Sequence, residues 1–123
     1  MLNYNKKKIR IVIIGCGNMG EAILSPLLDE GIEMFNIYVM DPKPSRWLLS
    51  LKNKGININK VFPTDAEICL IAVKPQMINL ITIELKKFDF KKTLFFSIVA
   101  GIRFKFFEEN VCKDIRLIRA MPN

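Results

Sequence analysis

Histidine is absent from all 123 positions of this chain, cysteine occurs three times and tryptophan once. Without imidazole, a Cys/His zinc site is excluded, and so is a histidine proton relay. Cys16, Cys69 and Cys112 are odd in number and widely spaced, which lays out no disulfide framework. They are expected as reduced thiols packed as small apolar groups, with no metal bound. Long apolar runs are also missing. Nothing approaches the roughly 20 residues that a membrane-spanning helix needs. The one candidate export signal, "KKKIRIVIIGC", offers an apolar stretch only over residues 9–14, and Arg10 interrupts it. A signal peptide needs roughly 7–15 uninterrupted apolar residues. The expectation is a soluble cytoplasmic chain with no membrane partner. Repeats and low-complexity tracts are absent as well, so disorder is expected only in a flexible basic N-terminus over residues 1–8.

What is present is an ordinary globular composition, 50% apolar, with a net charge of +7. A chain of this size forms one domain and buries roughly two thirds of the surface that its unfolded form exposes. Outside residues 6–10 the basic residues are scattered in ones and twos among apolar runs, with no basic helix and no aromatic-basic alternation. A nucleic-acid partner is therefore not expected. A modest positive field still suits a protein that holds a polyanionic cofactor.

The pattern along the chain alternates. "IRIVII" (9–14) is a β-branched run ending at glycine, as a strand buried on both faces would be. "NMGEAILSPLLDEG" (18–31) carries apolar residues at helical spacing and closes on glycine, with Pro26 expected to kink its last turn. Strands are expected at 36–41, 58–62, 67–73, 93–101 and 114–121. Helices are expected at 44–55, 76–88 and 103–110. Such alternation specifies a Rossmann-like α/β fold over residues 9–123, a mostly parallel sheet with helices on both faces, because parallel strands need crossover connections.

The candidate site lies at the strand ends. In "IIGCGNMG", Ile14 closes the first strand and Gly15, Cys16, Gly17, Asn18, Met19 and Gly20 fit G-x-G-x-x-G directly before a helix, the setting of a dinucleotide-binding turn. Gly15 permits the tight turn. Gly17 lets the backbone approach a pyrophosphate, and Gly20 allows close helix-strand packing while the helix N-terminus faces the anion. A helix-end position could lower the Cys16 pKa, but packing beside the cofactor is the favoured role. The second strand ends at Asp41, where such folds place an acid on the ribose hydroxyls, which favours NAD(H). Lys43, Ser45 and Arg46 follow at once. Two cations and a hydroxyl could instead hold a ribose 2′-phosphate, which favours NADP(H), so both cofactors stay open. "AVKPQ", with Ala72, Val73, Lys74 and Pro75, and "SIVAG", with Ala100 and Gly101, lie past the carboxyl ends of strong strands and are expected to line the same crevice. For Lys74 a plain turn and a place near the cofactor's phosphates or nicotinamide half are equally open.

"GCGNMGEAIL", "AVKPQ", "SIVAGI" and "IRAMPN", in this order and at these intervals, resemble the N-terminal domain of the pyrroline-5-carboxylate reductases. The resemblance runs from Ile9 to the last residue. It implies hydride transfer from a reduced nicotinamide, usually NADPH, to the C=N carbon of 1-pyrroline-5-carboxylate, giving L-proline. By the same resemblance, residues 15–20, 72–75, Ala100 and Gly101 are cofactor segments and Asn123 matches an asparagine near the nicotinamide. It further implies a second, helical domain, not among these residues, that supplies the substrate's groups and makes the enzyme a homo-oligomer. The chain alone is then expected to be inactive, with an exposed edge at "RLIRAM". No residue is named as the catalytic proton donor. Two other readings of the glycine turn are a β-hydroxyacid-type dehydrogenase domain and a non-catalytic NADP(H)-binding remnant.

Overall fold

The computed structural model describes residues 8–120. Six strands, β1 (Ile11–Ile14), β2 (Ile37–Met40), β3 (Asn57–Ile58), β4 (Ile68–Ile71), β5 (Leu94–Ser97) and β6 (Leu117–Arg119), form one sheet in the order β3-β2-β1-β4-β5-β6. Every pairing is parallel. Four helices make the crossovers: α1 (Asn18–Asp29), α2 (Arg46–Lys52), α3 (Ile78–Leu85) and α4 (Phe104–Asn110).

The period-2 alternation of a strand divides the apolar run of β1 between two cores. Ile11 and Ile13 join Ile37, Val39, Leu24 of α1 and Leu48 and Leu51 of α2 on one face. Val12 and Ile14 join Cys69, Ile71, Phe95, Ile78 and Leu85 of α3 and Phe107 of α4 on the other. All four β1 residues are buried, which is why this strand carries no polar residue. Phe88 extends the second core, stacking on Phe62 at 4.9 Å and meeting Phe95 edge-on at 5.3 Å.

One part of the first face stays bare. Among the described residues no helix lies over β4 and β5 there, and an apolar groove of about 250 Å³ opens between Ile23 and Leu27 of α1 and Leu70, Phe96 and Ile98 of the sheet side. The expected exposed edge is also present at β6, where Ile118 is 46% accessible.

Two elements differ from the sequence-based expectation. The third strand occupies Asn57–Ile58 rather than 58–62, because Asn59 takes a left-handed φ of 54° that ends the extended run, and Val61 stands 94% exposed beyond it. The helix expected from residue 76 begins as a 3₁₀ turn, Pro75–Met77, and becomes α-helical only at Ile78. Helix α1 continues through Pro26 to Asp29. Pro26 deprives only the Ala22 carbonyl of its partner, and Ala22 lies on the exposed side of the helix.

At the amino ends of β1 and β4, Arg10 ties the two halves of the sheet together. Its guanidinium bonds Asp65 Oδ1 at 2.9 Å and Glu67 Oε2 at 3.0 Å, and its backbone N–H donates to Glu67 Oε1 at 2.7 Å. Hydrogen bonds from Arg10 hold the Asp65 carboxyl below its ordinary value. For Glu67, burial works in the opposite direction, yet the Arg10 bonds outweigh it and the net shift is again downward.

Candidate functional site

Because every strand runs the same way, all carboxyl ends lie along one edge, and the register sets Ile14 beside both Met40 and Ile71, with Ile71 beside Ser97. The strand order reverses at β1, whose neighbours are β2 on one side and β4 on the other. Open α/β sheets bind ligands at this switch point, outside the carboxyl ends. The glycine turn sits there.

Gly15 has φ +79°, and its amide donates to Met40 O at 2.7 Å. A Cβ at this position would stand 2.8 Å from Val73 Cγ1 and 2.9 Å from both Ala72 O and Val73 N. The turn thus packs directly on the "AVKP" segment, and only glycine fits. Gly17 is different: a Cβ there meets nothing within 4 Å. No neighbouring protein atom excludes a side chain there, whereas a ligand resting on the turn would. At Gly20 a Cβ would approach Cys16 Sγ to 3.2 Å, so this glycine accommodates the Cys16 side chain. Helix α1 opens at Gly17 with no side-chain cap, leaving its N-terminus to face the crevice.

Cys16 is buried at 2% accessibility. Burial first, then the charges of Glu21 and Asp41, push its thiol up to about 12. The alternative of a helix-end thiol with a lowered pKa is therefore corrected: desolvation and two carboxylates outweigh the helix end, and Cys16 is a packing residue.

Asp41 is tied into the turn. Its Oδ2 accepts from Cys16 N at 3.1 Å and its Oδ1 from Lys43 N at 2.9 Å. Its backbone is clasped by Asn59, whose side chain accepts from Asp41 N and donates to Asp41 O, both at 2.8 Å. Ser45 caps α2, accepting from Leu48 N at 3.1 Å, and its hydroxyl donates to Glu21 Oε1. Cys16, Gly17, Asn18, Glu21, Asp41, Lys43 and Ser45 line one small hollow beside the turn.

Direct contacts thus join Ile14, Gly15 and Cys16 with Asp41, Ala72 and Val73, and Gly20 with Cys16, while Ser45 reaches helix α1 through Glu21. Asn18 and Met19 are exposed in the first turn of α1. Lys43, Lys74, Ala100 and Gly101 stand exposed on the loops that follow β2, β4 and β5, with Arg46 exposed at the start of α2 and Pro75 at the start of the 3₁₀ turn. Lys74 precedes the 3₁₀ turn, and its carbonyl accepts from Met77 N at 2.8 Å. Asn123 lies outside the described residues. Two residues of the site carried no sequence signal. Asn59 does its work from a left-handed backbone that asparagine tolerates, and Glu21 meets Ser45 across 24 positions. Among the described residues, no helix is long and apolar enough to cross a membrane, and no group of three or more His, Cys, Asp or Glu could hold a metal ion.

Known proteins that share this pattern include pyrroline-5-carboxylate reductases. The chain is 35% identical over 120 residues to a pyrroline-5-carboxylate reductase of Pasteurella multocida, matching 92% of this chain and 43% of that protein. It is 34% identical over 117 residues to the one from Vibrio alginolyticus, again matching 93% of the chain and 43% of the relative. Among solved structures, a pyrroline-5-carboxylate reductase from Coxiella burnetii superposes with a TM-score of 0.77 at 27% identity, over 94% of this chain and 44% of the other. The chain therefore spans less than half the length of the curated relatives it matches, and the resemblance to them holds in sequence and in fold. The model of the family described as NADP oxidoreductase, coenzyme F420-dependent, matches residues 10–101, across the glycine turn, Asp41 and the "AVKP" wall, and the chain belongs to that family.

Proposed function

We propose that residues 9–123 are the dinucleotide-binding domain of a pyrroline-5-carboxylate reductase, holding NADP(H) in preference to NAD(H). The observation that carries the nucleotide reading is the open space above Gly17 at the switch point. A Cβ would fill it, no protein atom does, and an uncapped helix N-terminus faces it. The relatives' names support the reaction. When bound, the reduced nicotinamide supplies the hydride that adds to the C=N carbon of 1-pyrroline-5-carboxylate, while the ring nitrogen takes up a proton. The residues of this chain bind and orient. The turn at Gly15 and Gly17 receives the pyrophosphate, the wall of Ala72, Val73, Lys74 and Pro75 flanks it, and Lys43 and Arg46 offer cations to a 2′-phosphate. Ala100 and Gly101 are assigned to the nicotinamide side, and the resemblance to the family assigns Asn123 a role there. The substrate's groups and the homo-oligomer contacts are assigned to the part of the relatives that these residues do not span, and the enzyme is placed in the cytoplasm.

Holding both reactants in near-attack geometry supplies roughly 7–11 kcal/mol of such a barrier. This chain holds one of them. Titration with NADPH should therefore show binding to the chain alone, with no proline formed from 1-pyrroline-5-carboxylate. The same chain extended by the remaining part of the Pasteurella multocida relative should form proline. Hydroxyacid oxidation by the extended protein in place of imine reduction would refute the reaction. Failure of NADPH and NADH to bind would refute the site.

A further inference from the structure

We propose that Glu21 is a specificity-determining residue of the nucleotide site, reading the ribose hydroxyls and opposing a 2′-phosphate. The inference rests on the nucleotide reading above. Acids at the end of the second strand ordinarily bond those hydroxyls, but Asp41 already accepts two backbone N–H groups, and Asn59 fixes its backbone. Glu21 is the other carboxylate in the hollow. It projects from the first turn of α1, and its carboxylate is held by one hydroxyl only, that of Ser45. Among the described residues its Oε2 has no hydrogen-bond partner, so this oxygen can accept from a ribose O–H.

The Ser45 hydroxyl has one proton and two roles. It accepts from Leu48 N as the cap of α2 and gives its proton to Glu21. A ribose diol brings protons that a carboxylate can accept. A 2′-phosphate brings only acceptors and negative charge, so it repels Glu21 and competes with it for the Ser45 proton. Lys43 and Arg46 favour the phosphate, and Glu21 sets how far that preference goes.

The test compares dissociation constants of NADPH and NADH, from nucleotide fluorescence, for the chain as it stands and for E21Q, E21A and E21A/S45A. E21Q keeps the shape and removes the charge. It should shift the ratio of the two constants toward NADPH by about three- to tenfold, the difference between a charge-assisted and a neutral hydrogen bond. E21A, which also frees the Ser45 proton, should shift it at least as far. Adding S45A should give back part of that gain, because the phosphate then loses its donor. Far-UV circular dichroism checks that α1 and α2 persist in each variant. A ratio unmoved in both E21Q and E21A, with both nucleotides still bound, overturns the role of Glu21 and leaves the nucleotide reading intact. No binding of either nucleotide by the unaltered chain overturns both.

Discussion

Gly15 and Gly17 stand two residues apart in one turn, and substitution should separate what the fold needs from what the ligand needs. Gly15→Ala places a methyl on a backbone at φ +79°, a conformation that costs an L-residue about 1–2 kcal/mol. The same methyl would stand 2.8 Å from Val73 Cγ1 and 2.9 Å from Ala72 O and Val73 N. Two of these neighbours are backbone atoms of the segment that closes the crevice, so the strain cannot be relieved by turning a side chain. Overpacking of this kind costs about 1–3 kcal/mol. The sum, about 2–5 kcal/mol, is a large share of the roughly 5–15 kcal/mol that stabilises a domain, and it should lower the melting temperature by about 8–20 °C. Gly17→Ala meets nothing within 4 Å and should leave the melting temperature within a few degrees of the parent. Nucleotide binding should respond differently: Gly17→Ala should weaken NADPH at least tenfold in a folded protein, because its methyl occupies the pyrophosphate's approach. Thermal unfolding by circular dichroism and calorimetric titration give the two readouts. Equal melting temperatures for Gly15→Ala and the parent would refute the packing argument, and unchanged affinity in Gly17→Ala would refute the assignment of the open space.

Three further outcomes can be measured. Replacing Lys43 and Arg46 together by Ala should weaken NADPH more than NADH, by about 1.5–3 kcal/mol for each charge-assisted bond lost, and equal losses would reduce both residues to surface charges. The depressed carboxyls of Asp65 and Glu67 contribute stability that is present above their ordinary values of 3.8 and 4.5 and is lost as pH falls through the lower, folded-state values. Arg10→Met should therefore lower stability at pH 7 and flatten its decline below about pH 4.5, and urea midpoints as steep in acid as the parent's would contradict this. Of the three thiols, Cys16 and Cys69 are buried and pushed upward by desolvation, whereas Cys112 is only half-buried. One thiol per chain should react rapidly with a disulfide reagent at pH 8, and a second fast thiol would show that the glycine turn opens.

How much was legible follows from the range of each interaction. The central strand is readable because residues 11–14 form an apolar run that stops at glycine, and the glycine turn because its spacing carries its mechanism. The crevice wall of Ala72 and Val73 followed from its place after a strong strand. What the sequence hid are contacts between side chains far apart along it. Asp41 spends its carboxylate on the Cys16 amide, 25 positions away, and Glu21 finds Ser45 across 24. No local pattern encodes either. The third strand was overextended because Val61 and Phe62 are apolar, yet a single left-handed residue, Asn59, turns the chain and sends Val61 into solvent.

The switch point also has a consequence for how the molecule assembles. Arg10 and Glu67, which flank the junction of β1 with β4, are 57 positions apart. Joining these strands closes a much longer loop than joining β1 to β2, and the entropy of closure grows with loop length, by about 0.6 kcal/mol for each doubling. The pairing that creates the crevice is thus among the most remote in the chain, and such topologies fold slowly. A half-assembled sheet of β1, β2 and β3 would possess the glycine turn but not the Ala72–Val73 wall against which Gly15 packs. Nucleotide capture in a stopped-flow refolding experiment should then lag behind the recovery of helical signal and coincide with the closing of that seam.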